Sequence, residues 1–436
     1  MKRISIISII ICSVATLSAQ LPADTPERRI TLDFNKTIND ILPSLQLYFP
    51  EVDDAMITNW EESKALEYTI IDDEKRYFRN AVANLFRIDT LARQRKEQVV
   101  GRERASRDYI VSRHIREVLL AKKSTSHLYS PHRWHFCYSI TLDSSIGLDS
   151  GETIHLWLPY PSNLISRQTD ICLIHHNLPY TINQGSHCTA YTKLSHNPTN
   201  ISRADICYTF ATFAEHHTLP QHFKHKVVNT SSPTLAPYLV ERTPHIVFTP
   251  DVKALADSIV GYETRPYYQA RLLFEAMRTL YPWASAREYS TIPNIPQYVI
   301  DNRHGDCGQI TLLYITLCRY KAIPARWQSG FMLHPGYENL HDWAEIYIEG
   351  MGWIPVDPSF GVQHWGKTEA ERYFYFGGID AFRLIINTDF SQPLTPQKQH
   401  PRSEPIDFQR GEVETNKQNL YFDTWHWNMN VIPIIE

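Results

Sequence analysis

Three side chains in the last third of the chain have the types and order of a nucleophile with its base and its orienting acid: Cys307, His341 and Asp357. A glycine directly follows Cys307 and another lies two residues before it, so the backbone can turn tightly and a substrate can approach closely. The apolar run at 310–317 predicts a buried helix that begins near Cys307. A helix N-terminus stabilises a thiolate, which is the nucleophilic form of cysteine.

A predicted hairpin brings the other two residues together. Residues 341–349 alternate between polar and apolar types as a strand does, Gly350 and Gly352 indicate a turn, and residues 353–357 form a second strand. His341 and Asp357 then lie side by side at the open end of the hairpin. We expect His341 to accept the thiol proton and Asp357 to hold the imidazole in one tautomer.

These motifs resemble the transglutaminase-like superfamily over about residues 290–362. The similar segments are Gly-Asp-Cys-Gly at 305–308, Ile-Pro-Ala-Arg at 323–326, His-x-Trp-x-Glu at 341–345 and Gly-Trp-Ile-Pro-Val-Asp-Pro at 352–358. The resemblance implies a papain-like α+β fold with Cys307 as nucleophile, His341 as base and Asp357 as orienting acid. The tail segments at 376–380 and 409–414 also resemble exported bacterial members of this group.

The resemblance also raises the question of what stabilises the oxyanion. The backbone N–H of Cys307 is one donor. The family often adds a side chain upstream of the cysteine, and Trp283 and Gln297 are both candidates that spacing alone does not separate. No acidic cluster resembles a calcium loop, so we expect neither a metal nor another cofactor.

Composition patterns divide the chain into four parts. Residues 1–19 are a predicted signal peptide, with Lys2 and Arg3 before a short apolar run. Helical spacing marks residues 20–130, short alternating strands at 131–250 predict a β-sandwich, and residues 251–436 carry the catalytic motifs. The predicted fold class is therefore α+β, a papain-like transglutaminase core preceded by a β-sandwich and an N-terminal helical region.

Cysteine usage fits an exported protein. Export into an oxidising compartment permits disulfides among four cysteines of the middle region, and the three possible pairings stay open. These cysteines are Cys137, Cys172, Cys188 and Cys207. Zinc is the competing interpretation, but no CxxC spacing supports it. Cys307 and Cys318 lie roughly 16 Å apart along an intact helix, too far to be bridged.

The overall composition excludes some classes of protein function. The chain has 436 residues, 43% of them hydrophobic and 21% charged, with a net charge of −4, which excludes a disordered chain and gives no basic surface for nucleic acid. From the catalytic motifs we expect this protein to be an exported bacterial cysteine-dependent amide hydrolase, located in the periplasm or outside the cell. It would act as a peptidase or amidohydrolase through an acyl-thioester on Cys307. Its partners would be protein, peptide or another amide-containing polymer, without stable membrane insertion after signal cleavage. A protein-crosslinking transamidase and a non-catalytic polymer-binding protein are the alternatives.

Overall fold

A computed structural model describes residues 23–101, 106–121, 127–143 and 146–434. The predicted signal peptide at 1–19 lies outside these ranges. Helices and strands occupy largely separate stretches of the chain, which confirms the α+β class. Within the described ranges, no helix combines the length and the apolar character that crossing a membrane requires.

The N-terminal region, defined here as residues 24–101, combines helices with one hairpin. Its helices and strands, with the helix that follows, are α1 (Pro26–Asp33), α2 (Ile38–Gln46), α3 (Asp54–Glu62), β1 (Tyr68–Ile71), β2 (Glu74–Tyr77), α4 (Ala81–Ile88), α5 (Thr90–Val100) and α6 (Ser106–Leu120). Threonine and aspartate caps start several helices; Thr37 and Asp40, for example, form a reciprocal capping box at α2. A separate apolar core, including Phe34, Trp60 and Phe78, packs beneath them.

Two five-stranded sheets follow and share one core. Their first strands are β3 (Leu128–Leu142), β4 (Thr153–Pro159), β5 (Gln168–His176), β6 (Thr181–Asn183), β7 (Thr189–Ser195) and β8 (Arg203–His216). Alternate residues of β3 and β4, such as Phe136 and Leu156, point inward into a single cluster. Cys137 and Cys207 are paired residues of β3 and β8 and form a disulfide. Of the pairings that the sequence left open, the structure contains the Cys137–Cys207 disulfide, whereas Cys172 and Cys188 are free thiols.

The remaining elements build the site and also complete the two sheets. They are α7 (Pro250–Val260), α8 (Pro266–Leu280), α9 (Ile295–Asn302), α10 (Cys307–Tyr320), β9 (Ala325–Met332), β10 (Asn339–Ile348), β11 (Gly352–Val356), α11 (Glu369–Arg372), β12 (Gly378–Ile379), β13 (Arg383–Asn387), β14 (Glu412–Thr415), β15 (Asn419–Leu420) and β16 (Trp425–Ile434). Short 3-10 turns lie at Ala236–Tyr238 and Tyr289–Thr291.

The last strands return to the middle of the molecule. One sheet has the order β12-β8-β3-β16, with β5 also paired to β8, and the other has the order β15-β14-β4-β7-β6. Strands from beyond residue 250 therefore pair with strands from before it, and a cut at that residue does not separate the sheets. The division of the chain into domains stays a prediction.

A third sheet carries the predicted catalytic hairpin. Its order is β11-β10-β9-β13, and all neighbours are antiparallel. Helix α10 packs against one face, where Ala344, Ile346 and Val356 meet its apolar residues in one core cluster. Residues 308–319 of α10 are all buried. This packing fixes the N-terminus of α10 beside the start of β10.

Candidate active site

Cys307 is the first residue of α10, as the sequence predicted. Asp306 caps the helix: its carboxylate accepts a hydrogen bond from the Gln309 amide at 3.0 Å, and Gln309 Oε1 accepts one from the Asp306 amide at 3.2 Å. The Tyr289 hydroxyl donates to the same carboxylate at 2.6 Å. Directly after Cys307, a Cβ at Gly308 would lie 2.2 Å from the Tyr289 hydroxyl oxygen, so only glycine fits there.

One of the two candidate oxyanion side chains lies at the site. Trp283 lines a cavity of about 210 Å³ together with Cys307, and its backbone bridges to Gly305. Gln297 lies on α9, where its amide nitrogen donates to Asp251 and Asp301, each at 2.9 Å. Gln297 therefore belongs to a surface network and does not line the Cys307 cavity, whereas Trp283 does. An oxyanion role for either residue stays a prediction.

The Cys307 thiol has an acid as its partner. Its Sγ donates to Asp342 Oδ2 at 3.2 Å, and Gln409 Nε2 donates to the other oxygen of Asp342 at 2.8 Å. Asp342 also hydrogen-bonds to Asp407. In turn, Asp407 Oδ1 accepts hydrogen bonds from Ser329 and Asn387, each at 2.8 Å, and from the Phe408 amide.

Two buried carboxyls in contact share one proton. Asp342 is 2% exposed and Asp407 is 3% exposed, so two adjacent negative charges would be strongly unfavourable. Burial and the neighbouring Asp407 raise the pKa of Asp342 well above its usual range. Asp407 is the better carboxylate because three donors converge on it. Burial also raises the pKa of Asp407. These shifts favour one shared proton, held on Asp342, and a net charge of −1 on the pair.

This environment opposes the thiolate that the sequence predicts. Burial, followed by the nearby Asp342 and Asp306, raises the pKa of the Cys307 thiol well above its usual range. The helix N-terminus acts in the other direction, but it contributes about 1 kcal/mol, or less than one pH unit. The surroundings of Cys307 therefore favour the neutral thiol, and they oppose the effect that the sequence assigned to the helix N-terminus.

His341 and Asp357 meet as the sequence predicted. His341 Nε2 lies 2.7 Å from Asp357 Oδ2, and both residues are buried. Arg383 Nη1 donates to the same Asp357 oxygen at 2.9 Å, and the Ser359 hydroxyl and the Phe360 amide donate to the other one. Burial opposes ionisation, but His341 and Arg383 outweigh it and hold the pKa of Asp357 well below its usual range. Asp357 is therefore an ionised carboxylate.

The His–Asp pair and the thiol lie on opposite faces of β10. Consecutive residues of a strand point to opposite sides, and Asp342, the partner of Cys307, directly follows His341. The His341 ring lies 5.1 Å from the Phe360 ring and 6.0 Å from the Trp343 ring, measured between centroids. No hydrogen bond joins Cys307 to His341, two residues that both fall within the described ranges. Burial lowers the pKa of His341, which favours a neutral imidazole.

The cavity beside Cys307 is rich in charge and has walls from distant parts of the chain. Its acidic lining residues are Glu288, Asp306, Asp342, Glu404 and Asp407, and its basic ones are Arg79, Arg287 and Arg410. Glu288 accepts hydrogen bonds from Arg79 at 3.0 Å and from Arg410. Arg79 comes from the N-terminal region, so that region forms part of the cavity wall.

The other cysteines do not compete with Cys307. Cys172, Cys188 and Cys318 are free thiols, and Cys318 is buried within α10 as predicted. His135 lies with Cys137 and Cys207 in a group whose ligand atoms fall within 4.8 Å of one another. The two sulfur atoms are already joined to each other, so this group does not offer thiolates to a zinc ion.

With this geometry, comparisons with known proteins identify the core. A family model described as the transglutaminase-like superfamily matches residues 253–358, which span α7 to the end of the β10–β11 hairpin. These residues form a transglutaminase-like domain. The match supports a cysteine-dependent enzyme in general terms and agrees with the motifs around Cys307, His341 and Asp357.

Comparisons with individual proteins and solved structures give partial likenesses. The uncharacterized protein YebA of Bacillus subtilis is 27% identical over 93 residues, which cover 17% of this chain and 13% of that protein. A candidate cysteine protease from Cytophaga hutchinsonii has a TM-score of 0.48 at 17% identity, covering 70% of this chain and 91% of its own. The periplasmic domain of TgpA from Pseudomonas aeruginosa has a TM-score of 0.29 at 13% identity, with 58% and 91% covered.

Several residues around Cys307 and His341 had no sequence signal. Asp342 lies inside the His-x-Trp-x-Glu motif at its variable position, and Asp407 precedes the tail segment at 409–414 that carries Gln409. Arg383 belongs to no motif. All of them reach the site through β10, β13 or the C-terminal tail, which means that tertiary pairing and not local pattern brings them there.

Proposed function

We propose that this protein is a cysteine-dependent amide hydrolase in which Cys307 is the nucleophile. The observation that carries the proposal is Cys307 at the first position of a buried helix, open to a cavity, inside a transglutaminase-like domain. His341, with Asp357 hydrogen-bonded to its Nε2, is the base. Its Nδ1 is then the nitrogen left to take the thiol proton.

In the proposed reaction the Cys307 sulfur attacks the carbonyl carbon of an amide. The thiol proton moves to His341, the C–N bond breaks, and the leaving amine takes a proton from His341. An acyl-thioester remains on Cys307, and water resolves it to a carboxylic acid and the free thiol. The Cys307 amide and Trp283, both at the cavity, are the proposed oxyanion donors.

The proposed proton transfer requires a conformational change that brings His341 and Cys307 together. In the resting structure the thiol donates to Asp342, and His341 lies across β10. Catalytic hydrogen bonds are often long or poorly aligned before substrate binds. The present arrangement demands more than such a tightening, because His341 and the thiol do not face each other. The imidazole has to reach the Cys307 side of β10 in the substrate complex.

The resting contacts of Cys307 favour a second candidate function, that of a non-catalytic polymer-binding protein. A thiol that is held neutral and lacks a hydrogen bond to His341 is what a domain that has lost its catalysis would show. A crosslinking transamidase is a variant of the first proposal in which a primary amine replaces water. For all three, protein, peptide or another amide-containing polymer is the proposed partner.

We also propose that the protein is exported. The Cys137–Cys207 disulfide supports this, because disulfides persist in oxidising compartments and are rare in the cytosol. A periplasmic or extracellular location follows from the same reasoning. The predicted signal at 1–19 would direct the export.

The function is tested with amide probes and two cysteine variants. Wild-type protein is incubated with fluorescein-labelled casein and with an N-blocked glutaminyl peptide, with and without a primary amine. Hydrolysis by wild type and Cys318→Ala, but not by Cys307→Ala, would support the hydrolase, since Cys318 is a buried thiol of the same helix. Ammonium release that rises with added amine would favour the transamidase. Undiminished activity or binding in Cys307→Ala would contradict an enzymatic role for this thiol.

A further inference from the structure

The N-terminal region holds the polypeptide segment next to Cys307. Asn84 of α4 is 2% exposed and faces Ser285 of the loop between α8 and α9. Its Nδ2 donates to the Ser285 carbonyl oxygen at 2.9 Å, and its Oδ1 accepts from the Ser285 amide at 2.9 Å. Only a side chain with a donor and an acceptor on one amide group makes this paired contact with a backbone.

A second residue of α4 extends the contact to Trp283. Arg87 Nη1 donates to the Ser285 hydroxyl at 2.7 Å and to Asn84 Oδ1 at 3.1 Å. Its guanidinium carbon lies 4.7 Å from the centroid of the Trp283 ring. A cation over an indole face is a favourable contact, and it limits the orientations that the indole can adopt.

The clamped segment is in turn bonded to the cysteine loop. The Ala284 amide donates to the Gly305 carbonyl oxygen at 3.1 Å, and the Gly305 amide donates to the Pro282 carbonyl oxygen at 3.3 Å. Gly305 lies two residues before Cys307. Hydrogen bonds and short stretches of backbone therefore connect Asn84, through residues 282–285, to the N-terminus of α10.

We propose that Asn84 and Arg87 are positioning residues for the reaction at Cys307, so that α4 is a working part of the catalytic site. They act by fixing Trp283 and the Gly305 loop, without touching the substrate. This inference rests on the proposed function, because it assigns the two residues to the reaction of Cys307. It also explains why the N-terminal region packs against the catalytic cavity and contributes Arg79 to its wall.

The test compares loss of this clamp with loss of another contact of the N-terminal region. Asn84→Ala and Arg87→Ala remove the clamp. Arg28→Ala is the matched control, because Arg28 joins the same region to Asp423 of the C-terminal tail, away from residues 282–285. Each full-length mature variant is first checked for a cooperative melting transition, and two clamp variants guard against one that fails to fold.

Two readouts need no substrate. Hydrogen exchange followed by mass spectrometry reports the amides of 281–286 and 303–307, and iodoacetamide reports the alkylation rate of Cys307. Because both hydrogen bonds from Asn84 to the Ser285 backbone are lost, we expect at least about threefold faster exchange in both segments and at least about a threefold change in alkylation in Asn84→Ala. Arg28→Ala should match wild type in both.

Further outcomes separate this inference from the proposed function. With a cleaved amide probe, Asn84→Ala should lower kcat about tenfold or more and leave KM within about twofold, since the clamp orients groups around the thiol. Exchange and alkylation equal to wild type in both clamp variants would overturn the inference while leaving Cys307 catalysis intact. Undiminished turnover by Cys307→Ala would instead overturn the proposed function.

Discussion

Replacing the buried acid pair by amides should make the Cys307 thiol more acidic. The pair of Asp342 and Asp407 carries one proton and a net charge of −1, and Asp342 accepts the thiol hydrogen. In the double variant Asp342→Asn/Asp407→Asn that charge is gone. The amide nitrogen introduced at position 342 can also donate to the sulfur, because Gln409 already occupies the other side of this group.

The expected shift follows from Coulomb's law. A unit charge about 5 Å from the sulfur, at an effective dielectric constant of about 20, contributes about 3 kcal/mol. This corresponds to about two pH units in the pKa of Cys307. The sign is downward, because a nearby negative charge destabilises the thiolate and its removal favours that form.

The single variants divide the effect between charge and hydrogen bonding. Asp407→Asn leaves Asp342 to carry the negative charge beside the sulfur, so the pKa of Cys307 should not fall. Asp342→Asn leaves the charge on Asp407 and replaces an acceptor by a donor, so the pKa should fall by about one unit from the exchanged hydrogen bond. The double variant should show the largest decrease.

The assay is the iodoacetamide rate at Cys307 between about pH 6 and pH 11, measured peptide by peptide by mass spectrometry. Cys172, an exposed free thiol of the same chain, provides the internal reference. A decrease in Asp407→Asn as large as in the double variant would refute the shared proton. An unchanged profile in the double variant would show that the acid pair does not control the thiol.

Two further predictions concern stability. Arg383→Met removes the cation that pairs with buried Asp357, so the free energy of unfolding in urea should fall by about 3–5 kcal/mol; no change would mean that the pair contributes nothing net. Changing Cys137 and Cys207 to serine opens a loop closed by residues 70 apart and should cost about 4 kcal/mol. Dithiothreitol should lower the melting temperature of wild type and not that of this double variant; equal sensitivity would place the effect elsewhere.

Local patterns in the sequence predicted the elements of the site with useful accuracy. The expected strands at 341–349 and 353–357 correspond to β10 (Asn339–Ile348) and β11 (Gly352–Val356), joined as a hairpin. Cys307 begins α10, where the flanking glycines and the following apolar run placed it. Both predictions depend on period and turn chemistry within a few residues, which a single sequence displays directly.

The sequence also indicates which face of β10 carries His341, and this face determines whether His341 lies near Cys307. Ala344 and Ile346 alternate with Trp343 and Glu345, so the apolar face of β10 is the one that must receive a buried helix. His341 shares its face with Trp343. This alternation predicts His341 on the side away from α10, a consequence that the order of a Cys-His-Asp triad alone conceals.

The contacts that cross the chain had no comparable signal. β16 pairs along ten residues of β3, although most of the chain, from Leu142 to Trp425, separates the two strands. Asp407 reaches Asp342, and Asn84 reaches Ser285, through tertiary packing of segments that are far apart in the chain. Long-range pairing of this kind is decided by complementary surfaces, which periodicity within one segment does not specify.

The magnitudes around Cys307 decide what its chemistry requires. The helix N-terminus favours a thiolate by about 1 kcal/mol, whereas the acid pair at its distance opposes one by about 3 kcal/mol. Helix geometry alone therefore does not ionise this thiol near neutral pH. A reaction at Cys307 needs a further positive partner close to the sulfur, and in the proposed reaction this partner is the imidazolium that His341 becomes when it takes the thiol proton. In that proposal the hydrogen bond from Cys307 to Asp342 is the resting contact of the thiol, and it has to break before the sulfur attacks the substrate.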